Sequence, residues 1–261
     1  MSAVRAGPAV MWGRFAAWAA ALALFVLPIA AALPLALREA LVPAAWAALW
    51  RDPAWPSMTA LSLSSAVLST AAALLATMAL VAWTEGSRAW QRLAGWVAPM
   101  LAVPHAAFAI GLAWLVSPTG EIARVLAALL GWDAPPDWAT VHDPQAAMLT
   151  LTLFLKELPF LLWNAVAMLS RPEVAQQLRR QRALARTMGL TPTALWWRVL
   201  WPAWLPRMAW PLLAVLAYAL TVVDLGLVIG PTNPPTLAVS AYADLVDGDP
   251  LRNGRGAAAA L

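Results

Sequence analysis

Four polar side chains stand inside long apolar runs of this chain. Lys156 and Glu157 lie in TLFLKELPF, Asp224 in VVDLGLV and His105 in VPHAAFAIG. A charge at the centre of a membrane helix costs about 2.5–3.5 kcal/mol on insertion scales, so such a group faces protein or water. Two chemistries fit. The groups line a polar path for a solute or ion, or they pair with other helices and hold a bundle together. Neighbours on a helix point about 100° apart, so Lys156 and Glu157 need not pair with each other. Asp224 is expected either to pair with Lys156 or to contact a cationic substrate. His105 is either a substrate contact or a hydrogen-bonded packing residue. No other constellation converges. The chain has no GxxxxGK[ST] loop, so ATP binding cannot be argued for it. His105 and His142 fall in different contexts and make no metal site, and no Ser/His/Asp set can be assembled.

The elements that must hold these groups are membrane helices. Hydrophobic residues make up 62% of the chain and charged residues 11%, against about a quarter charged in soluble domains. Uncharged runs of about 20 residues are long enough to cross a bilayer. They are read at about 15–37, 57–84, 93–116, 146–169 and 208–229. Each is too long for a barrel strand and lacks strict alternation, so an all-α, polytopic helical bundle is expected. The first run exceeds the roughly 7–15-residue apolar region of a cleaved signal and reads as a retained helix. Ser62, Ser64, Ser65, Ser69 and Thr70 suit close helix packing, or a pore lining for some of them. Trp residues cluster at the ends of the runs, where interfacial anchoring is the default. Without cysteine, disulfides and thiolate metal sites are excluded.

Arginine placement sets the orientation. With a cytoplasmic N-terminus, the inner loops hold Arg5, Arg14, Arg88, Arg92, Arg171, Arg179, Arg180, Arg182, Arg186, Arg198 and Arg207. The outer loops hold Arg38, Arg51, Arg124, Arg252 and Arg255. That bias obeys the positive-inside rule. It does not form the aromatic-interleaved basic patch of a nucleic-acid binder. The outer loop 118–145 is expected to carry a short amphipathic helix at Ile122–Leu130. A turn at Trp132, Pro135, Pro136 and Trp138 should follow it. A second outer loop, 231–256, opens with Pro231-Thr232-Asn233-Pro234-Pro235, which no regular helix accommodates. Ala257–Leu261 reads as the start of a further helix, so the gene is expected to continue beyond it.

The cytoplasmic loop 170–207 reads as two short helices. Ser170 and Pro172 begin the first, with Ala175, Leu178, Leu184, Ala185 and Met188 near one face. Gly189 ends it in a left-handed conformation. Thr191 and Pro192 cap and start the second, and Pro202 is expected to stop it. Within ALARTMGLTPTALWWRVLWP, residues 183–202, the spacing resembles the "EAA" signature of permease subunits in ABC-type importers. That pattern is Glu-Ala-Ala, three residues, Gly, nine residues, an aliphatic residue, then x-Leu-Pro. Ala185, Gly189, Val199 and Pro202 fit. Ala183 replaces the glutamate, Leu184 the first alanine and Trp201 the leucine, which bears on the strength of coupling rather than the architecture.

The resemblance implies a type I importer permease in the bacterial inner membrane, a single transmembrane domain over 1–261 with a sixth helix begun at 257. It further implies ATPase-coupling residues Ala183, Leu184, Ala185, Arg186, Gly189, Val199 and Pro202. Cytoplasmic ABC ATPase subunits would use the ATP, and the permease chain itself would bind no cofactor and catalyse nothing. A second permease half and a periplasmic or lipid-anchored solute-binding protein would complete the assembly. LAVPHAAFAIGLAWL, LKELPFLLWNA and IGPTNPPTLAV are similar to thiamine-type or iron-type members. The rival from another class is an ion- or proton-coupled secondary transporter using Lys156, Glu157 and Asp224.

Overall fold

A computed structural model describes residues 8–134 and 136–261. The sequence readings on Arg5 and Pro135, and on the side chains of Arg14 and Arg186, lie outside what it describes. The helices are α1 (Pro8–Ala40), α2 (Pro43–Arg51), α3 (Trp55–Thr84), α4 (Arg88–Ala102), α5 (His105–Val116), α6 (Glu121–Leu130) and α7 (Ala147–Leu169). Then follow α8 (Pro172–Thr187), α9 (Pro192–Leu195), α10 (Trp201–Trp204), α11 (Ala209–Thr221), α12 (Asp224–Ile229), α13 (Leu237–Leu245) and α14 (Pro250–Ala260). Among the described residues the only β pairing is an isolated bridge between Thr232 and Pro235. Among the described residues, five helical stretches are long and apolar enough to cross a membrane: Phe15–Ala40, Trp55–Thr84, His105–Leu130, Ala147–Leu169 and Trp196–Thr221.

The chain forms two compact units, Met1–Asp52 with Ala241–Leu261, and Pro53–Ser240. In the first, α1 carries no charge between Arg14 and Arg38 and exposes Trp18, Leu24 and Phe25, as a lipid-facing helix does. The Trp46 Nε1 donates to the Ala40 carbonyl at 2.7 Å and fixes the α1–α2 corner. Glycines let α14 approach closely. A Cβ on Gly254 would meet Ala45 Cβ at 3.3 Å, and one on Gly256 would lie 2.8 Å from the Ala241 carbonyl. Arg255 donates twice to Asp244, at 2.6 and 2.7 Å, and once to Asp52 at 3.0 Å. Two sequence expectations change here. The 231–256 segment is largely helical, and the helix expected from 257 begins at Pro250. Asp249 accepts from the Leu251 N–H at 3.0 Å, a cap-plus-proline start, while Arg255 is drawn into the ion cluster instead of solvent.

The second unit is built on α3 against α7. α3 buries Ser62, Ser65, Ala66, Ser69, Ala73 and Thr77, and α7 buries Leu149, Thr152, Leu153 and Leu161. Small residues allow this approach. The Ser65, Ser69 and Thr152 hydroxyls donate to carbonyls of their own helices, at 3.2, 3.2 and 2.7 Å, so each is satisfied without a partner across the interface. α7 starts where Asp143 receives the Ala147 and Met148 N–H groups at 2.8 and 2.9 Å. The amphipathic outer helix appears as α6, ended by Gly131 at φ 67°. Trp132 and Trp138 meet edge to face behind it, ring centroids 6.2 Å apart.

Two of the runs expected as single helices are broken. The 93–116 run divides at Val103 and Pro104, because proline forces the residue before it out of the helical region; Val103 has ψ 121°. The 208–229 run ends at Thr221, where Val222 turns extended at ψ 125°, and Asp224 opens the separate α12. The membrane-length stretch instead starts earlier, at Trp196. Pro202 therefore does not stop a helix. Trp196–Leu200 forms a π-turn closed by the Trp201 N–H on the Trp196 carbonyl. Pro202 follows directly on that π-turn, inside the continuous helical stretch.

Candidate functional site

The 170–207 loop folds as a helix–turn–helix. Gly189 has φ +69°, the left-handed conformation glycine adopts without penalty. The Leu190 N–H reaches back to the Ala185 carbonyl at 3.0 Å, closing α8 with a Schellman-type bond. The Thr191 hydroxyl accepts from the Ala194 N–H at 3.2 Å and caps α9. Ser170 does not cap α8; its hydroxyl donates back to the Val166 carbonyl at 2.8 Å.

The apolar face of α8 also differs from expectation. Leu178 and Ala185, seven apart, are buried, whereas Leu184 and Met188 are 63% and 72% exposed. The inward side chains join one core with Ala73, Val81, Leu161 and Ala165 of α3 and α7 and with Leu195, Trp196, Leu200, Trp201 and Trp204. The loop's inner face is thus continuous with the membrane core. Its outer face presents Ala183, Leu184, Met188 and Gly189, flanked by exposed Arg179 and Arg180. Val199 is half-buried and Pro202 exposed.

Arg182 was legible only as one of many topological charges, and Glu85 only as the end of a run. The structure pairs them. The Arg182 guanidinium also lies 5.8 Å from the Trp196 ring centroid. A cavity of about 360 Å³ opens beside them, lined by Ala82, Glu85, Arg182, Ala185, Leu190, Leu195 and Trp196.

The intramembrane groups gather around the two helix breaks. Lys156 Nζ donates to the Val103 carbonyl at 2.7 Å, an acceptor freed by the α4–α5 break, and sits 5.7 Å from the Phe108 ring centroid. Among the described residues it makes no ion pair with Asp224, so the expected pairing is replaced by this carbonyl contact. Asp224 is exposed in the first turn of α12. His105 opens α5 and packs on Tyr218, ring centroids 5.0 Å apart. Glu157 is buried, and among the described residues neither carboxylate oxygen has a hydrogen-bond partner, the Ser69 hydroxyl donating instead to the Ala66 carbonyl. Tyr218 was missed from the sequence, having no pattern around it beyond an apolar helix.

No protein-family model matches the chain. Over 248 residues, 95% of its length, it is 34% identical to the "Inner membrane ABC transporter permease protein YnjC" of Escherichia coli (strain K12). It spans 46% of the length of that relative. Its apolar helices and this similarity make it a multi-pass inner-membrane protein. The described residues form helices with membrane-length apolar stretches, and over nearly its whole length the chain is similar to an inner-membrane ABC transporter permease, a role those helices fit.

Proposed function

We propose that this chain is the membrane-spanning subunit of an ATP-driven importer and that residues 183–202 dock on a separate cytoplasmic ATPase subunit. The carrying observation is the two-sided loop. Its inner face is packed into the α3–α7 core, while Leu184 and Met188 stand exposed beside the Gly189 turn. An apolar pair flanked by Arg179 and Arg180 suits an apolar groove with an acidic rim. A compact helix pair passes a rigid-body displacement onward where an irregular loop would not.

The implied assembly adds a second permease half, the ATPase subunits and an external solute-binding protein. Residues 1–261 act within it as one permease domain with a cytoplasmic N-terminus. The solute path runs past His105, Lys156, Glu157, Tyr218 and Asp224, since broken membrane helices commonly frame transport sites. Glu157, with its unpartnered oxygens, is also the observation that favours the rival, an ion-coupled carrier. The test is uptake by the chain reconstituted with the ATPase and binding protein encoded beside it. Vanadate-sensitive, ATP-dependent uptake supports the importer. Uptake abolished by an ionophore and indifferent to vanadate supports the rival.

A further inference from the structure

We propose that Arg182 is a positioning residue that links the docking loop to α3; the proposal rests on the docking reading above. Three elements meet at this one side chain. Arg182 belongs to α8, its ion-pair partner Glu85 closes α3, and Trp196 begins the π-turn leading into α11. The Glu85 and Arg182 side chains are 16% and 29% exposed, so the pair is more shielded from solvent than an ordinary surface pair. Trp196 is itself held, with ring centroids 5.5 Å from Trp201 and 6.2 Å from Trp204. A guanidinium over an indole face adds cation–π attraction to the ion pair.

The loop is packed into the α3–α7 core on its inner face, and beside the pair a cavity of about 360 Å³ is lined by Ala82 of α3 and by Ala185, Leu190 and Leu195 of the loop. Close-packed side chains transmit displacement and voids do not. At this notch the Glu85–Arg182–Trp196 contact bridges the gap. α3 in turn packs along α7, which carries Lys156 and Glu157. A push on α8 at Leu184 and Met188 therefore reaches the end of α3 through Arg182, beside the route through the packed core. The exposed Arg179 and Arg180 on the same helix have no such contact among the described residues, and they are left to the partner.

The experiment uses the full chain assembled with its neighbouring ATPase in lipid nanodiscs. It reads ATPase co-purification and permease-stimulated ATP hydrolysis. Arg182→Glu and Glu85→Arg should each keep the ATPase bound, because neither residue lies on the exposed face, yet lower stimulated hydrolysis at least about fivefold. The swap Glu85→Arg/Arg182→Glu should recover most of it, which also excludes misfolding as the cause. Trp196→Leu, with the pair intact, should fall between parent and single variants. Single variants hydrolysing like the parent, or a swap no better than either, would overturn the positioning role alone. A parent chain that captures no ATPase would overturn the docking reading and this inference with it.

Discussion

Replacing Gly189 separates a docking surface from a merely folded loop. Its φ of +69° is one that most side chains disfavour by roughly 1–2 kcal/mol, with Asn and Asp the exceptions. A Cβ built there meets nothing within 4 Å, so the penalty is conformational and not a clash. Gly189→Ala should therefore strain the turn by about 1 kcal/mol, and Gly189→Asp by less. Neither change touches a membrane-length stretch, so membrane-fraction protein should persist in both. If the turn is only a fold element, Ala is the worse substitution. If the turn faces a partner with an acidic rim, Asp is worse, because it carries a like charge into the contact. A charge left unpaired at an interface costs about 2–5 kcal/mol, which at the lower end is roughly thirtyfold in affinity. ATPase co-purification and vanadate-sensitive ATP hydrolysis are measured for both variants in the same membranes. Asp at or above Ala in both readouts would refute the docking argument.

Other changes test other parts. Single cysteines at the exposed positions Ala89 and Ala183 should resist a membrane-impermeant thiol reagent in intact cells while one at Ala134 labels; reaction at Ala183 would invert the orientation. Asp143→Ala removes an acceptor that holds two N–H groups at the start of α7 and should lower stability in detergent by about 1–2 kcal/mol. Asp143→Asn should retain part of that, and an unchanged thermal midpoint for the alanine variant would contradict the cap. Lys156→Met removes a charge-assisted bond of about 1.5–3 kcal/mol and relieves a comparable insertion cost. Its net effect on the denaturation midpoint should therefore be small. A large loss would mean that the Val103 carbonyl has no other partner and that the α4–α5 break depends on the lysine.

The number of membrane-length stretches and the helix–turn–helix of the 170–207 loop were legible because their causes are local. A run of about 20 apolar residues has one stable outcome in lipid. Gly189 followed by Thr191-Pro192 states a helix end and a helix start in adjacent residues, and the structure shows both. Which face of α8 turns inward was less legible. Leu184 and Met188 are as apolar as Leu178, and only the positions of α3 and the Trp196–Trp204 segment decide between them.

What escaped the sequence depended on geometry between distant elements. Pro104 announced a perturbation, yet proline inside a membrane helix more often kinks than separates it. Pro28, Pro99 and Pro159 do remain inside their helices. At Val103 the difference is the carbonyl that accepts from Lys156, 53 residues away. The break and the buried lysine answer each other's need, since the lost helical bond leaves an acceptor and the ammonium requires one. The second break has no proline at all: Val222 is extended and Asp224 starts α12, where its charge suits the helix N-terminus. Read along the chain, Lys156 and Asp224 looked like a cation and an anion awaiting each other. In the fold Lys156 is matched instead to a freed carbonyl, while the Asp224 carboxylate stands exposed in the first turn of α12, where the helix N-terminus favours its charge.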